Sequence, residues 1–385
     1  MIKLKWLVAI AACCLAIGTC PVRACQYNVR EVGFIDLGIE PYRLIAYLPE
    51  NVPAGGPSGL NEAMALALAE TNIRFEPVMA GADANQAAME SARAHGISHF
   101  PAAVLVSPDG QSMPVALPEK AASLAEAVPS ALESILDSPT RRQILEGSAD
   151  SYGVVLLIEG LDPQRNGAAR QTVSAAISQI GEQLGSLPKP ISKPPQLVVL
   201  DQKSLAREQV LLWTLRLKAE DVNQPYAAVF YGRGRWIGPL FEGETLTSDN
   251  LTQLLSVVGA DCECSLDHRW LQGTMLPARW DGALQQKVVQ SIGFDPENPM
   301  TKAEMVSIVR RGAGGSDYPS VPFDYREIQV GGDAGEGGGQ KTAPSSDFPP
   351  ASSRIVGQVL VGSLAGVAVL AGVTSLVIVL RARKP

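Results

Sequence analysis

The chain has 385 residues, and 32 basic against 39 acidic side chains leave a formal charge of −7. That balance lacks the basic excess by which proteins hold nucleic acid, so no nucleic-acid partner is expected. With 46% hydrophobic and 18% charged residues, the chain carries too much apolar material to be disordered as a whole.

Lys3 and Lys5 precede an apolar run from Trp6 to Gly18, and Val22-Arg23-Ala24 puts tolerated residues before a cut at Cys25. This arrangement reads as a secretory signal over residues 1–24, its apolar run being shorter than the roughly 20 residues of a membrane span.

The next segments alternate between strand and helix periodicity. Tyr42–Leu48 and Ile73–Val78 are apolar β runs, and Leu60–Glu70 and Asn85–Ala94 have helical spacing. Phe100-Pro101 then opens a β run that closes at Pro108-Asp109-Gly110. Ser112–Leu117 is a further β run, and Glu119–Leu136 is an amphipathic helix with a kink expected at Pro129. The same order returns: strand Gly153–Glu159, helix Ala168–Leu184, strand Gln196–Leu200, helix Ser204–Leu217, then Gln224-Pro225 and a β run ending at Gly232-Arg233-Gly234. Strand Trp236–Phe241 and helix Ser248–Val258 complete it. Pro101 and Pro225 stand 124 positions apart, and so do Gly110 and Gly234. A fixed period of this kind marks a repeated unit. Domains are expected at 25–146 and 147–261.

The order β-α-β-α-Pro-β-β-α resembles the thioredoxin-like fold, an α/β architecture with a central mixed sheet flanked by helices. The resemblance covers about residues 43–136 and 152–258. It implies that Pro101 and Pro225 are cis. It does not extend to a redox role, because the Cys-x-x-Cys motif that opens the family's first helix is missing. The corresponding stretches are Pro49-Glu50-Asn51-Val52-Pro53 and Gly160-Leu161-Asp162-Pro163. What the resemblance implies instead is a fold used as a binding scaffold.

Of six cysteines, Cys13, Cys14 and Cys20 lie in the signal, leaving Cys25, Cys262 and Cys264. An exported chain permits disulfides, and three thiols leave one odd. Cys25 is a candidate for lipidation or for a disulfide to Cys262 or Cys264. Cys262-Glu263-Cys264, with His268 nearby, leaves three readings open: a strained and reducible Cys-x-Cys pair, a metal site of Cys262, Cys264 and His268 with Cys25 available as a fourth ligand, or a structural crosslink. The metal reading is the weakest, since structural zinc uses two to four residues between its cysteines. His95 and His99 are four apart, but Gly96 and Phe100-Pro101 break the helix that would align them. No Ser-His-Asp order, phosphate loop or His-Glu-x-x-His motif is present. No catalytic residue, cofactor or small-molecule substrate is therefore assigned.

Residues 262–311 read as a small helical appendix. Trp270, Met275, Leu276 and Trp280 are its docking residues, Asp281–Ile292 and Thr301–Val309 its helices, with Thr301 and Glu304 forming a capping box. Asp295-Pro296-Glu297-Asn298 is a turn with too few carboxylates for calcium. Gly-rich and Pro-rich residues 312–354 form a flexible linker. Ile355–Leu380 is an apolar stretch of 26 residues, enough to span a bilayer with some tilt. Arg381, Arg383 and Lys384 in the five-residue tail 381–385 put that end in the cytoplasm. Within the span, Gly362, Gly366, Ala368 and Gly372 offer small surfaces for helix packing. The expected protein is a type I single-pass membrane protein with an extracytoplasmic body. Its partners are the lipid bilayer and another membrane or envelope protein, which it serves as a non-enzymatic scaffold. The alternative is an envelope thiol–disulfide oxidoreductase or thiol carrier using Cys262 and Cys264.

Overall fold

The computed structural model describes residues 27–36, 41–49, 56–80, 90, 92–118, 124–187, 189–260 and 274–312. All of these belong to one compact unit, Met1–Val321. The expected span at 355–380 lies outside the described residues, and no described helix is long and apolar enough to cross a membrane.

The first helix among the described residues is a short one, α1 (Val29–Gly33). Its ends are satisfied locally: Asn28 Oδ1 accepts the Glu31 N–H at 2.8 Å, and the Glu31 carboxylate accepts the Asn28 N–H at 2.9 Å. Two sheets follow. The first contains β1 (Tyr42–Pro49), β2 (Ile73–Ala80), β3 (Ala102–Val106) and β4 (Ser112–Val115), with helices α2 (Gly56–Ala67) and α3 (Leu124–Leu136). After α4 (Pro139–Asp150), the second contains β5 (Val154–Ile158), β6 (Gln196–Leu200), β7 (Tyr226–Tyr231) and β8 (Arg235–Glu242), with helices α5 (Pro163–Gln183), α6 (Gln209–Thr214) and α7 (Ser248–Val258).

The strand orders are β2-β1-β3-β4 and β6-β5-β7-β8. In each sheet the first two strands in sequence are parallel and the other neighbours antiparallel. A parallel pair needs a crossover, which α2 and α5 supply. This is the thioredoxin-like sheet, built twice. The central strands β3, β5 and β7 carry no charged residue and are almost wholly buried, because both faces are covered. Val154, Leu156 and Ile158 face one core and Val155 and Leu157 the other, all fully buried. Three of the four edge strands carry a proline, Pro77, Pro114 and Pro239, a residue that cannot donate to an added strand.

The structure departs from the sequence reading in several places, among them the expected helix Ser204–Leu217, of which only a 3-10 turn Leu205–Arg207 and helix α6 (Gln209–Thr214) form. Helix α4 was not expected. Its inward face is Thr140, Arg141, Ile144, Leu145, Gly147, Ser148 and Ala149, too polar to show an apolar period, although Ser138 before Pro139 is a helix-start signal. The expected boundary at 146/147 also moves. Val29, Val32 and Ile35, assigned to the first domain, lie in the core of the second sheet, and α4 packs against β5, β6 and β7. The helical appendix is no appendage. Helix α8 (Gly282–Ile292) packs on α4, and Met305 of α9 (Pro299–Gly312) is fully buried in the second core. Nor does Thr301 cap α9, which begins at Pro299. Asn298 Oδ1 accepts the Met300 N–H at 2.9 Å instead, and Glu304 takes the Tyr27 hydroxyl at 3.0 Å.

Candidate functional site

The loop that leads from β5 into α5 occupies the place of the family's redox motif. Asp162 Oδ1 caps α5 by accepting the Gln164 N–H at 2.9 Å, and Asn166 bonds both the N–H and the C=O of Gly160. Leu161 projects between them, 66% exposed. The loop thus presents an apolar side chain at a helix start and no thiol. In the first sheet, residues 50–55 lie outside the described residues. The Phe100–Pro101 peptide is cis. Gln224–Pro225, expected to match it, is not among the cis bonds. There the Leu161 N–H donates to Asn223 O at 3.2 Å.

A second site lies where the two sheets meet. The extended segment Thr274–Trp280 runs between them and bonds to both. On the second sheet, the Trp236 N–H donates to Thr274 O and the Leu276 N–H to Gly234 O, both at 3.0 Å. On the first, the Tyr42 hydroxyl donates to Met275 O at 2.6 Å. Asn72 donates to Leu276 O at 2.9 Å and accepts the Ala278 N–H at 3.0 Å. The Trp280 N–H donates to Glu70 O at 2.7 Å. Burial pushes the Tyr42 hydroxyl far above the ordinary tyrosine range, so it stays a donor at any working pH.

Charge holds the same junction. Arg141, in the first turn of α4, donates to Ser134 O and Ile135 O at the end of α3 and to Pro277 O in the extended segment. A cation there meets the orphan carbonyls of a helix C-terminus. Its counter-charge is Glu208, 4.0 Å away and also 1% exposed. Glu208 in turn accepts the Ser138 hydroxyl at 2.5 Å and the Thr140 N–H at 3.0 Å. Burial lowers the Arg141 pKa to about 10 against the pull of Glu208, which leaves it charged at neutral pH. Val210 and Trp213 of α6 complete the contact by packing into the first core.

The described non-glycine residues with positive φ are Glu70 (61°) and Arg216 (59°), and both serve this junction. Such a backbone costs roughly 1–2 kcal/mol for a residue with a Cβ. Glu70 accepts from Trp280, and Arg216 reaches across to Asp109 at 2.7 Å. Strain of this kind persists where surrounding contacts over-determine it. Beside the junction is a cleft of about 150 Å³ whose floor includes Leu136, Leu145 and Leu284. On its rim Arg279 pairs with Glu133 and Arg142 with Asp137, each at 2.7 Å. Among the described residues no group of His, Cys, Asp and Glu is arranged to hold a metal ion.

Of the residues singled out from the sequence, Met275, Leu276 and Trp280 all enter the junction. Trp280 stacks near Phe34, ring centroids 6.3 Å apart. His95 lies in a turn at Gly96 (φ 73°) and His99 in a bend. Cys25, Cys262, Cys264, His268, Trp270, Gly362, Gly366, Ala368 and Gly372 lie outside the described residues. Tyr42, Asn72, Arg141 and Glu208 were missed. Each has other polar residues beside it, and nothing local marks it as a tie to a partner some 70 to 230 positions away.

No protein-family model and no curated protein matches the chain. Among solved structures it is similar to the first two thioredoxin domains of Saccharomyces cerevisiae Eps1p, at 11% identity over 56% of this chain and 92% of that one, with a TM-score of 0.20. It is similar also to the bb fragment of ERp72, at 14% identity over 56% and 87%, TM-score 0.21. The zinc-bound form of human ERp44 gives 9% identity over 58% and 55%, TM-score 0.21. The thioredoxin-like assignment rests on the strand order and register of the two sheets.

Proposed function

We propose that this chain is a membrane-anchored, extracytoplasmic interaction protein, an accessory of a membrane complex of the cell envelope and not a redox enzyme. The observation that carries this is the loop Gly160-Leu161-Asp162-Pro163, where the fold would hold its reactive thiols and where an exposed leucine stands instead. The prolines on the edge strands also favour side-chain recognition over strand addition. Anchoring is argued from the signal at residues 1–24, the apolar stretch 355–380 and the basic residues after it. Residues 312–354 give the folded body reach, on the order of 5–6 Å × √n for n flexible residues. The described residues end at α9, whose Met305 is buried in the second core.

The rival reading is a thiol–disulfide oxidoreductase or thiol carrier acting through Cys262 and Cys264. One experiment separates the two. Full-length protein is purified from membranes, assayed with a model disulfide and a model dithiol, and compared with the Cys264→Ser variant. The interaction reading expects no turnover in either, together with recovery of a membrane partner by pull-down. Turnover that disappears in Cys264→Ser transfers the assignment to the rival. Protease added outside sealed cells should release the folded body, and a reporter fused after Pro385 should be cytoplasmic. Protection of the body would reverse the topology.

A further inference from the structure

We infer that Thr274–Trp280 is an interdomain strap that locks the two thioredoxin-like sheets into one orientation, so that they present a single composite surface. Domains joined through modest polar interfaces move by default, and the strap removes that freedom in an identifiable way. Its residues alternate between partners. Thr274 O and the Leu276 N–H are tied to Trp236 and Gly234 of the second sheet, whereas Met275 O, Leu276 O, the Ala278 N–H and the Trp280 N–H are tied to Tyr42, Asn72 and Glu70 of the first. Isolated bridges Arg235–Met275 and Thr71–Arg279 show the strap paired as a strand with one sheet near its start and with the first half of the molecule near its end.

Relative rotation of the halves would break bonds on one side of the strap or the other. It would also uncover Leu276, which is fully buried in the second core, and Trp280, which is 97% buried. The two left-handed non-glycine residues stand at this seam and nowhere else in the described chain, so the locked orientation is the one in which their contacts are made. Arg141 fastens the strap from behind through Pro277 O. This inference does not depend on membrane anchoring or on the thiols.

The test is the distance between the halves in full-length protein held in detergent. Spin labels are introduced through an unnatural amino acid at Leu66 on α2 and Leu161 before α5, which are 77% and 66% exposed. Pulsed dipolar spectroscopy should give one narrow distance for the otherwise native chain. In the Tyr42→Phe/Asn72→Ala variant, which removes the strap's bonds to Tyr42 and Asn72 and leaves those to Glu70, Ala67 and Glu133, that single distance should be lost to a broader distribution. Should this variant fail to fold, Arg279→Gln serves instead. It removes the strap's exposed tie to Glu133 and its bond to Ala67 O, and it should broaden the distribution in the same direction. A broad distribution in the native chain would overturn the lock. A narrow distance unchanged in the folded variants would overturn the role of the strap and assign the orientation to Val210 and Trp213.

Discussion

Arg141 is a full charge placed where almost no water reaches it, and its stability contribution depends on Glu208. Removing one partner of a buried pair leaves the other uncompensated, which costs about 3–5 kcal/mol. Arg141→Ala should therefore lower the unfolding free energy measured by denaturant titration by that amount. A joint Arg141→Met and Glu208→Leu replacement should recover most of it, since a buried pair is often matched by apolar residues of similar volume. Equal losses in the single and double variants would show that the carbonyls of α3 and Pro277, and not Glu208, are what Arg141 serves. Asp109 adds a pH term. Burial pushes its carboxyl up, but the hydrogen bonds from Ser107, Gln111 and Arg216 together outweigh it and leave the pKa lowered. A depressed folded value means that the Asp109–Arg216 link stabilises above the ordinary carboxylate pKa of about 3.9 and fades as pH falls through the folded value. The stability advantage of the native chain over Asp109→Asn should be constant from pH 7 to 5 and should vanish on further acidification. A difference independent of pH would assign the effect to packing.

At the scale of elements, α1 shows how a short segment finds its place. Gly33 and Gly232 meet back to back: a Cβ on Gly232 would lie 2.3 Å from the Gly33 carbonyl carbon, and Gly232 has φ of +55°. The Arg233 N–H then donates to Gly33 O at 3.1 Å. Gly232→Ala combines a steric insertion with a left-handed backbone, and about 2–4 kcal/mol of destabilisation is expected, measurable by thermal unfolding. A loss under 1 kcal/mol would mean that α1 moves away freely. The same docking bears on the thiols. The Val29 N–H donates to Ala260 O at 2.9 Å, joining the chain four residues after Cys25 to the chain two residues before Cys262. Non-reducing peptide mapping should recover Cys25 linked to Cys262 or Cys264. A fully reduced set, or acylated Cys25, would exclude that crosslink. Periodicity made β1 through β8 legible in the sequence. It did not reveal α4, because its buried face uses Arg141, Thr140, Gly147 and Ser148. It also could not say which sheet α1 joins, because Val29, Val32 and Ile35 would suit either core.

For the whole molecule, the proposed function assigns recognition to the folded body and placement to the apolar segment 355–380. If partner association runs through the span, the small residues Gly362 and Gly366 are where helices approach closely, with Ala368 and Gly372 turned toward a different neighbour. Gly362→Leu and Gly366→Leu should each weaken cross-linking to a partner span in native membranes while the folded body keeps its thermal stability. An unchanged cross-linked band in both would leave recognition to the strapped sheets.

The sequence by itself determined the features that a few neighbouring residues decide: the strands and most helices, the doubled order of a thioredoxin-like sheet, and the lack of Cys-x-x-Cys in either copy. It also carries the topogenic segments from which anchoring is argued. These depend on periods of two and 3.6, on turn residues and on continuous apolar length. Only the tertiary structure decided that Thr274–Trp280 is a strap, that Arg141 answers Glu208, that residues 29–35 belong to the second sheet, and that Phe100–Pro101 is cis while Gln224–Pro225 is not. Each of those depends on which groups meet across tens to hundreds of residues. A tyrosine, asparagine or arginine has the same local appearance whether it faces water or ties two sheets together.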